Sequence, residues 1–334
     1  MKNLDYYLED LENRINEEEE ELLYQEWVSF AEGRNDCAPF VPKVRTPSPP
    51  CVEWPEIKIN DALKDENLMI LSQFKLCSDI LKNGTSNIMS VRANYGVGII
   101  PSMFGAKVFE MPYEANCLPN VYPLEGGWNS TVAFLDSDYP SFENGWGKHV
   151  ISVGEKYMEI KERYPKIGRY VRIDHPDCQG PMDLCELLWG SEIFVQFYDN
   201  PEDMLNILKK ITEFYRIFLD YWFSIVPNQD AYHSYFGRLH KGAIAIRDDS
   251  CMNLSPSIYE EFVFPFDQEL LSYFNGGLIH FCGRGDHFIR KMSETKHLYG
   301  IDMSQPHLNN MEVILSNTVD KGIVLLTVKG DFCS

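Results

Sequence analysis

Short apolar runs alternate with longer amphipathic segments through most of this 334-residue chain, from residue 87 onward. The short runs are rich in β-branched residues, as strands are, and the longer segments repeat apolar residues at helical spacing. The strand candidates are 87–92, 170–173, 242–246, 277–282, 300–303 and 322–328. Helical segments at 183–195, 201–225, 256–275, 287–297 and 310–321 separate most of them. This alternation predicts the α/β class, with repeated βα units around a parallel sheet.

A cluster of polar residues follows most of the predicted strands. The clusters are Arg92–Tyr95, Asp174–Asp177, Arg247–Asp249, His280–Gly283 and Ser304–His307. In a (β/α) barrel, the ends of the strands and the loops after them build the active site. Polar side chains at these positions therefore indicate an enzyme.

The first 60 residues read as a separate N-terminal segment, and residues 61–334 as the domain of βα units. Leu4, Leu8, Leu11 and Ile15 recur at helical spacing and predict one helix over 3–32. The acidic run Glu17–Glu21 is expected on the solvent face of that helix. A proline-rich connector follows, which predicts extended structure that wraps the body, and the next helix is predicted over 61–81.

Charge and cysteine content limit the class of partner. The chain has 50 acidic and 30 basic residues, a net charge of −20, which repels nucleic acid and anionic membranes. No apolar run approaches the roughly 18 residues of a membrane span, and the acidic N-terminus does not resemble a signal peptide. Nine cysteines without paired spacing are typical of a reducing compartment. We therefore expect a cytoplasmic protein that binds a small molecule; its oligomeric state stays open, a homodimer included.

The run Leu278–Gly283 carries the clearest chemical signal. Side chains alternate faces along a strand, so His280 and Cys282 share one side. An imidazole and a thiolate at a strand end could bind zinc and leave a coordination position open. The alternative is a buried cysteine beside a core histidine, without a metal.

Several segments beyond residue 60 match, in order, elements of one known family. They are Gly180–Leu184 leading to Leu188–Gly190, the Asp199–Asp203 helix start, Arg247–Asp249 with Ser255 and Pro256, and the I-H-F-C-G run Ile279–Gly283. The chain thus resembles the uroporphyrinogen decarboxylase superfamily, which includes the corrinoid-linked methyltransferases. The resemblance implies a TIM-type (β/α)8 barrel with extra N-terminal helices. It leaves open whether the last strand and helix are shortened here.

The methyltransferase branch of that family binds zinc through a His-x-Cys pair and a distant cysteine, and the zinc activates a thiol. His280 and Cys282 match the first two positions, and Cys333 is the candidate for the third, with a carboxylate or water as alternatives. The resemblance therefore implies a zinc-dependent enzyme that moves a methyl group from a corrinoid, carried by a partner protein, to a thiol.

Two other functions are alternatives. Decarboxylases of the family carry an N-terminal M-R-Q-A-G-R-Y segment with substrate-binding arginines, and Val91–Gly96 keeps only one arginine and an Asn-Tyr pair. Such an enzyme would decarboxylate a porphyrinogen or another carboxylated small molecule without metal. A catalytically inactive binding protein is the third alternative, favoured if the barrel lacks its last strand and third ligand.

The remaining candidates lie at the predicted strand ends. Guanidinium groups bind carboxylate, sulfonate or phosphate, so the arginines there are substrate-binding candidates, with structural ion pairs as the alternative: Arg92, Arg172, Arg247 and Arg284. Asp248 is a candidate acid or base, and since Asp249 is adjacent, at most one of the two should face the pocket. His175 and Tyr95 are further catalytic candidates, and Asn94 and Gln305 further substrate-binding ones.

Overall fold

The computed structural model describes residues 3–34 and 40–326. It shows a mixed α/β protein in which helices surround parallel strands, so the predicted class is confirmed. Cys333 and the end of the last predicted strand lie outside the described residues. Within the described ranges, no helix is both long and apolar enough to cross a bilayer.

The strands are, in chain order, β1 Ser90–Val91, β2 Val108–Phe109, β3 Asn120–Val121, β4 Arg172–Ile173, β5 Tyr232–Tyr235, β6 Arg238–Lys241, β7 Ile244–Arg247, β8 Gly277–Phe281, β9 Leu298–Met303 and β10 Val324–Leu325. The largest sheet has four parallel strands in the order β10-β9-β8-β7. A second parallel pair is formed by β1 and β4, and two antiparallel pairs join β2 to β3 and β5 to β6.

The helices pack around these strands. They are Leu4–Arg14, Glu17–Ala31, Ile59–Ala62, Glu66–Asn83, Ile99–Met103, Thr131–Asp136, Gly147–Arg163, Pro165–Tyr170, Pro181–Trp189, Ile193–Asp199, Pro201–Ile225, Pro256–Ile258, Phe264–Tyr273, Ile289–Met292 and Met311–Asn317. The longest, Pro201–Ile225, begins with proline and two acids, which suit the positive end of a helix dipole. It buries a continuous apolar stripe that includes Ile211, Phe218 and Trp222.

The two faces of the four-stranded sheet have different neighbours. Ile246, Ile279 and Ile301 are fully buried on the face that joins the main core, and each contributes about 1.5–3 kcal/mol of burial free energy. The other face carries Ala245 and Leu278, which cluster with Tyr235 of the β5–β6 hairpin. The hairpin therefore covers the sheet face from which the polar side chains of the strand ends project.

The predicted single helix over 3–32 is wrong, because the chain breaks at Ile15 and Asn16. The Asn16 side chain accepts hydrogen bonds from the N–H groups of Glu18 and Glu19 and so starts a second helix. The acidic run is not wholly solvated either. Glu20 is buried in an ion pair with Arg45 at 2.5 Å, and this pair fixes the proline-rich connector against the body.

Several other helices differ from their predicted bounds. The helix predicted over 61–81 is two helices, Ile59–Ala62 and Glu66–Asn83, and the helix predicted over 183–195 is broken at Gly190. The segment 256–275 contains a wide π turn at Tyr259–Val263, just before Pro265, whose ring and missing N–H disfavour a regular turn. Only Ile289–Met292 is α-helical within 287–297, and the helix at 310–321 ends at Asn317.

Candidate metal centre

Three neighbouring parallel strands place polar side chains in two rows at their carboxyl ends. In the first row the register pairs Arg247 of β7 with His280 of β8, and His280 with Asp302 of β9. Residues two positions further along continue on the same side. This second row consists of Asp249, Cys282 and Ser304. The candidate site is therefore assembled by the pairing of three strands.

Asp249, His280 and Cys282, which we call the metal triad, bring three ligand atoms within 4.8 Å of one another. The His280 Nε2 atom lies 3.5 Å from Cys282 Sγ and 3.5 Å from Asp249 Oδ1. Bonds of 2.0 and 2.3 Å at a tetrahedral angle would hold two ligand atoms roughly 3.5 Å apart. Two of the three donor separations therefore match a tetrahedral zinc site, and the triad is the one such group of three donors in the part of the chain that the structure describes.

His280 is oriented by a second ion pair behind it. Its Nδ1 donates to Asp302 Oδ2 at 2.6 Å, and Arg238 Nη1 donates to Asp302 Oδ1 at 2.9 Å. Carboxylates placed behind a ligand histidine fix its tautomer and ring orientation, which here leaves Nε2 directed at Asp249 and Cys282. Burial opposes protonation of the ring, but hydrogen bonds to Asp302 and Cys282 outweigh it and raise the pKa of His280 to about 9.

Asp249 is held by two hydrogen bonds, one to its carboxylate and one from its own backbone N–H group. Its Oδ1 accepts the N–H of Cys282 at 2.7 Å, and its own N–H donates to Asp183 at 3.0 Å. Cys282 Sγ lies 3.4 Å from the hydroxyl of Ser304, and Ser304 is exposed. Asp249 and Cys282 are themselves only partly buried. The triad is thus anchored from inside and open to solvent on the side of Ser304.

Asp248 is turned toward Asp267 and away from the triad, because the strand ends at Arg247 and a 3₁₀ turn begins at Asp249. Asp248 is completely buried, and among the described residues no donor group gives a hydrogen bond to either of its carboxyl oxygens. Burial, reinforced by the nearby Asp267 carboxyl, holds the pKa of Asp248 well above its usual value. The structure therefore brings Asp249, and not Asp248, to the predicted pocket.

His175 is enclosed behind the hairpin. Its Nε2 accepts the N–H of Ala245 at 2.9 Å, its Nδ1 donates to the carbonyl of Pro176 at 2.8 Å, and its ring stacks on that of His233 with centroids 5.1 Å apart. Burial lowers the pKa of His175 to about 4. Both ring nitrogens are engaged by the backbone, so this histidine is positioned as a neutral structural group.

The four candidate arginines differ in their partners. Three are ion-paired: Arg172 with Asp230, Arg247 with Asp177, and Arg284 with Asp286. Arg92 has no ion pair among the described residues, and its guanidinium lies over the Phe236 ring at 5.0 Å. Arg247 lies over the same ring at 5.4 Å, so two cations converge on the hairpin tip.

The remaining candidates lie apart from the triad. Tyr95 is fully buried, and its ring centroid lies 4.9 Å from that of Trp146. Its hydroxyl has no hydrogen-bond partner among the described residues, and burial raises the pKa of this hydroxyl. Asn94 lines a cavity beside Arg92. Gln305 accepts the N–H of Gly283 at 2.5 Å and so holds the turn after β8.

Three residues that surround His280 in the candidate site were not predicted from the sequence: Asp302, Arg238 and Tyr235. Asp302 carries a signal that was available, since a charged residue within the apolar strand 300–303 needs a buried partner. Arg238 and Tyr235 belong to the β5–β6 hairpin, which was not among the strands predicted from the sequence.

No protein-family model matches this chain, and no curated protein matches it either. The resemblance to the uroporphyrinogen decarboxylase superfamily stays a prediction that depends on the ordered motifs alone.

Proposed function

We propose that this protein is a zinc-dependent methyltransferase of the uroporphyrinogen decarboxylase type, which moves a methyl group from a corrinoid carrier to a thiol. The proposal includes a (β/α)8 barrel, whose active site would lie at the carboxyl ends of the strands. The metal triad is the observation that carries it, because Asp249, His280 and Cys282 lie together at that edge.

The donor set favours zinc over harder cations. Thiolate and imidazole ligands suit zinc, whereas magnesium and calcium prefer oxygen ligands alone. Three protein ligands with an open fourth position are typical of catalytic zinc, and the fourth position here would face Ser304 and solvent. Zinc bound by the triad would lower the pKa of a substrate thiol at that position.

The neighbouring residues would prepare the site for such a substrate. Asp302 keeps the proton on Nδ1 of His280, which leaves Nε2 free as a ligand. Arg238 neutralises the Asp302 carboxylate behind the ring. The exposed Ser304 hydroxyl, 3.4 Å from Cys282 Sγ, can accept a hydrogen bond from an incoming thiol.

A metal-free decarboxylase is the second candidate, and Arg92 is the observation that favours it. This cation has no ion pair among the described residues and is available to a substrate carboxylate. An acid is also needed for protonation of the product carbon. Asp248 holds its proton because of burial, but it faces Asp267 and not the space beside Arg92.

Metal analysis tests the first proposal directly. Protein purified without chelator and exposed to zinc should retain about one zinc ion per chain, measured by elemental mass spectrometry. Cys282→Ser and Asp249→Asn should each lose the ion, whereas Cys117→Ser, which changes an exposed cysteine outside the triad, should keep it. Wild-type protein that fails to bind added zinc would refute the proposal.

Activity then separates the chemistries. The zinc-loaded protein should transfer a methyl group from methylcobalamin to a thiol, and the Cys282→Ser variant should not. Release of CO2 from a carboxylated substrate by metal-free protein would instead support the decarboxylase. If zinc binds but neither reaction occurs with any tested substrate, the third possibility, a binding protein, is favoured.

A further inference from the structure

Three buried histidines, which we call the histidine cluster, lie where the β5–β6 hairpin meets the four-stranded sheet. His233 and His240 face each other across the hairpin with ring centroids 5.8 Å apart. The ring of His175, in the loop after β4, stacks on that of His233 at 5.1 Å. Each of the three residues is at most 8% exposed. The cluster is therefore sealed from water while the hairpin is in place.

The hydrogen bonds of the cluster require neutral rings. His175 Nε2 accepts the N–H of Ala245 in β7 at 2.9 Å, and the N–H of His175 donates to His233 Nε2 at 3.1 Å. A ring nitrogen that accepts a backbone N–H cannot carry a proton of its own. Protonation of either ring would set two N–H groups against each other and break the link that runs from the hairpin through His175 to the sheet.

His240 has no acceptor for a second proton. Its Nδ1 donates to the carbonyl of Lys241 at 3.0 Å, and its Nε2 has no hydrogen-bond partner among the described residues. A proton on Nε2 would create a buried charged donor without an acceptor, which is costly. All three rings therefore lose contacts or gain an unsatisfied donor when they are charged.

The charges around the cluster are mixed in sign. Burial lowers the pKa of His175 to about 4 and that of His240 to about 3, and it holds the pKa of His233 well below its usual value. Asp174 acts in the opposite direction, because burial raises its pKa to about 6. The other charged groups that face the rings are Arg92, Arg172, Arg247, Asp177 and Asp302.

The tip of the hairpin is strained. Phe236 and Gly237 have φ values of 48° and 74°. A positive φ is unfavourable for a bulky residue such as Phe236, whose side chain is 57% exposed. Backbone strain of this kind persists only where the surroundings impose it. Loss of the histidine contacts would allow the tip to relax.

We propose that the β5–β6 hairpin is a flap beside the metal triad, and that acid opens it by charging the histidine cluster. Opening would withdraw Tyr235 from the ring of His280 and Arg238 from Asp302, and it would expose the sheet face beneath. The inference goes beyond the zinc chemistry and does not depend on it, because no member of the metal triad belongs to the cluster.

The size of the effect follows from proton linkage. A histidine that is neutral under the closed hairpin and has an ordinary pKa in the open one raises the opening constant roughly 30-fold between pH 7.5 and 5.0. Three rings together give roughly 30,000-fold. Asp174, whose proton favours the closed form, reduces this roughly tenfold. The opening constant should therefore rise on the order of 1,000-fold.

Hydrogen exchange followed by peptide-resolved mass spectrometry measures this opening. The full chain is treated with chelator, so that the outcome is independent of zinc binding. After correction for the intrinsic exchange rate, protection of the segment 232–245 should fall on the order of 1,000-fold between pH 7.5 and 5.0. The helix Pro201–Ile225 should keep its protection. An equal loss in that helix would show global unfolding, and equal protection of the hairpin at both pH values would show no flap; either result would overturn the inference.

A double variant, His175→Gln with His233→Gln, tests which groups are responsible. Glutamine does not titrate, and its amide oxygen can accept the same N–H groups. The fall in hairpin protection should shrink to roughly threefold, whereas the exposed-site variant His307→Gln should behave like the wild type. An undiminished fall in the double variant would also overturn the inference. The comparison of hairpin and helix in the wild type is decisive even if the double variant does not fold.

Discussion

Replacing Asp302 with asparagine should change how zinc affinity depends on pH more than it changes the affinity at neutral pH. Asp302 lies 2.6 Å from Nδ1 of His280, and its other oxygen is paired with Arg238. The carboxylate has two opposed effects on the metal triad. It orients the imidazole and makes it a better ligand, but it also stabilises the imidazolium that a zinc ion must deprotonate.

The size of each effect follows from the structure. With the pKa of His280 at about 9 in the metal-free protein, a proton occupies the ring at pH 7 and weakens zinc binding by roughly 100-fold. Without the Asp302 charge, burial dominates, and the pKa of His280 should fall toward or below 6.5. The lost second-shell carboxylate costs roughly 10–100-fold in intrinsic affinity. The two effects should nearly cancel at pH 7 and separate above pH 9.

Competition with a chromogenic chelator between pH 6.5 and 9.5 measures this directly. Wild-type affinity should rise about tenfold more per pH unit than that of Asp302→Asn up to pH 9, because one more proton is released on binding. The surface change Asp5→Asn should behave like the wild type. Parallel pH profiles for wild type and Asp302→Asn would show that Asp302 does not control the His280 proton, and the reasoning would fail.

Two further predictions concern stability. Three histidines are buried and have lowered pKa values: His175, His233 and His240. Between pH 6.5 and 4 these rings stay neutral in the folded protein, whereas the same histidines bind protons in the unfolded chain. The free energy of unfolding should therefore fall as the pH drops from 6.5 toward 4, by about 3 kcal/mol from His175 alone. Urea unfolding across this range should show a smaller loss for His175→Gln than for the exposed-site variant His307→Gln, and equal losses would contradict the prediction. Asp248→Asn should raise the free energy of unfolding by about 1–3 kcal/mol at pH 8, because the amide can donate to Asp267. The gain should be smaller at pH 5, where keeping the proton on the wild-type carboxyl costs less than at pH 8, because the pH is closer to the pKa of the unfolded aspartate. Thermal unfolding that shows a loss at both pH values would refute the prediction.

The local part of the candidate site could be predicted from the sequence. His280 and Cys282 are two residues apart on one strand, so their shared face follows from the period of two alone. The 3.5 Å separation between Nε2 and Sγ also depends on Asp302, which orients the ring from the neighbouring strand. The divergence of Asp248 and Asp249 has another cause, because the strand ends at Arg247 and Asp249 begins a 3₁₀ turn.

The non-local part depends on strand register, which the sequence did not reveal. Asp249 lies beside Cys282 because Arg247 pairs with His280 two residues earlier, and Asp302 lies behind His280 because these two residues also pair. A shift of one residue in either pairing would turn the acid to the other face of the sheet. Polar clusters after several strands indicate where a site should form, but they do not specify which side chains meet.

The wrong predictions have two origins, a distant ion pair and a local capping hydrogen bond. Glu20 lies in a run of acids that is solvated in isolation, and Arg45 draws it into a buried pair from across the connector. Asn16 ends one helical stripe and begins another, although the apolar spacing continues through it. Tertiary partners and capping hydrogen bonds decided these positions, whereas the sequence pattern reports only local preference.

The hairpin turn contacts the surroundings of the metal triad on one side and Arg92 on the other. Tyr235 packs its ring 5.5 Å from that of His280, Arg238 holds Asp302, and Phe236 lies under Arg92. A bulky residue with positive φ costs about 1–3 kcal/mol, which the ion pair and the aromatic contacts beside the turn can offset. Because those contacts fix the turn from both sides, any ligand that displaces Phe236 must also disturb Asp302 and hence His280. The orientation of His280 is therefore expected to depend on the conformation of this one turn.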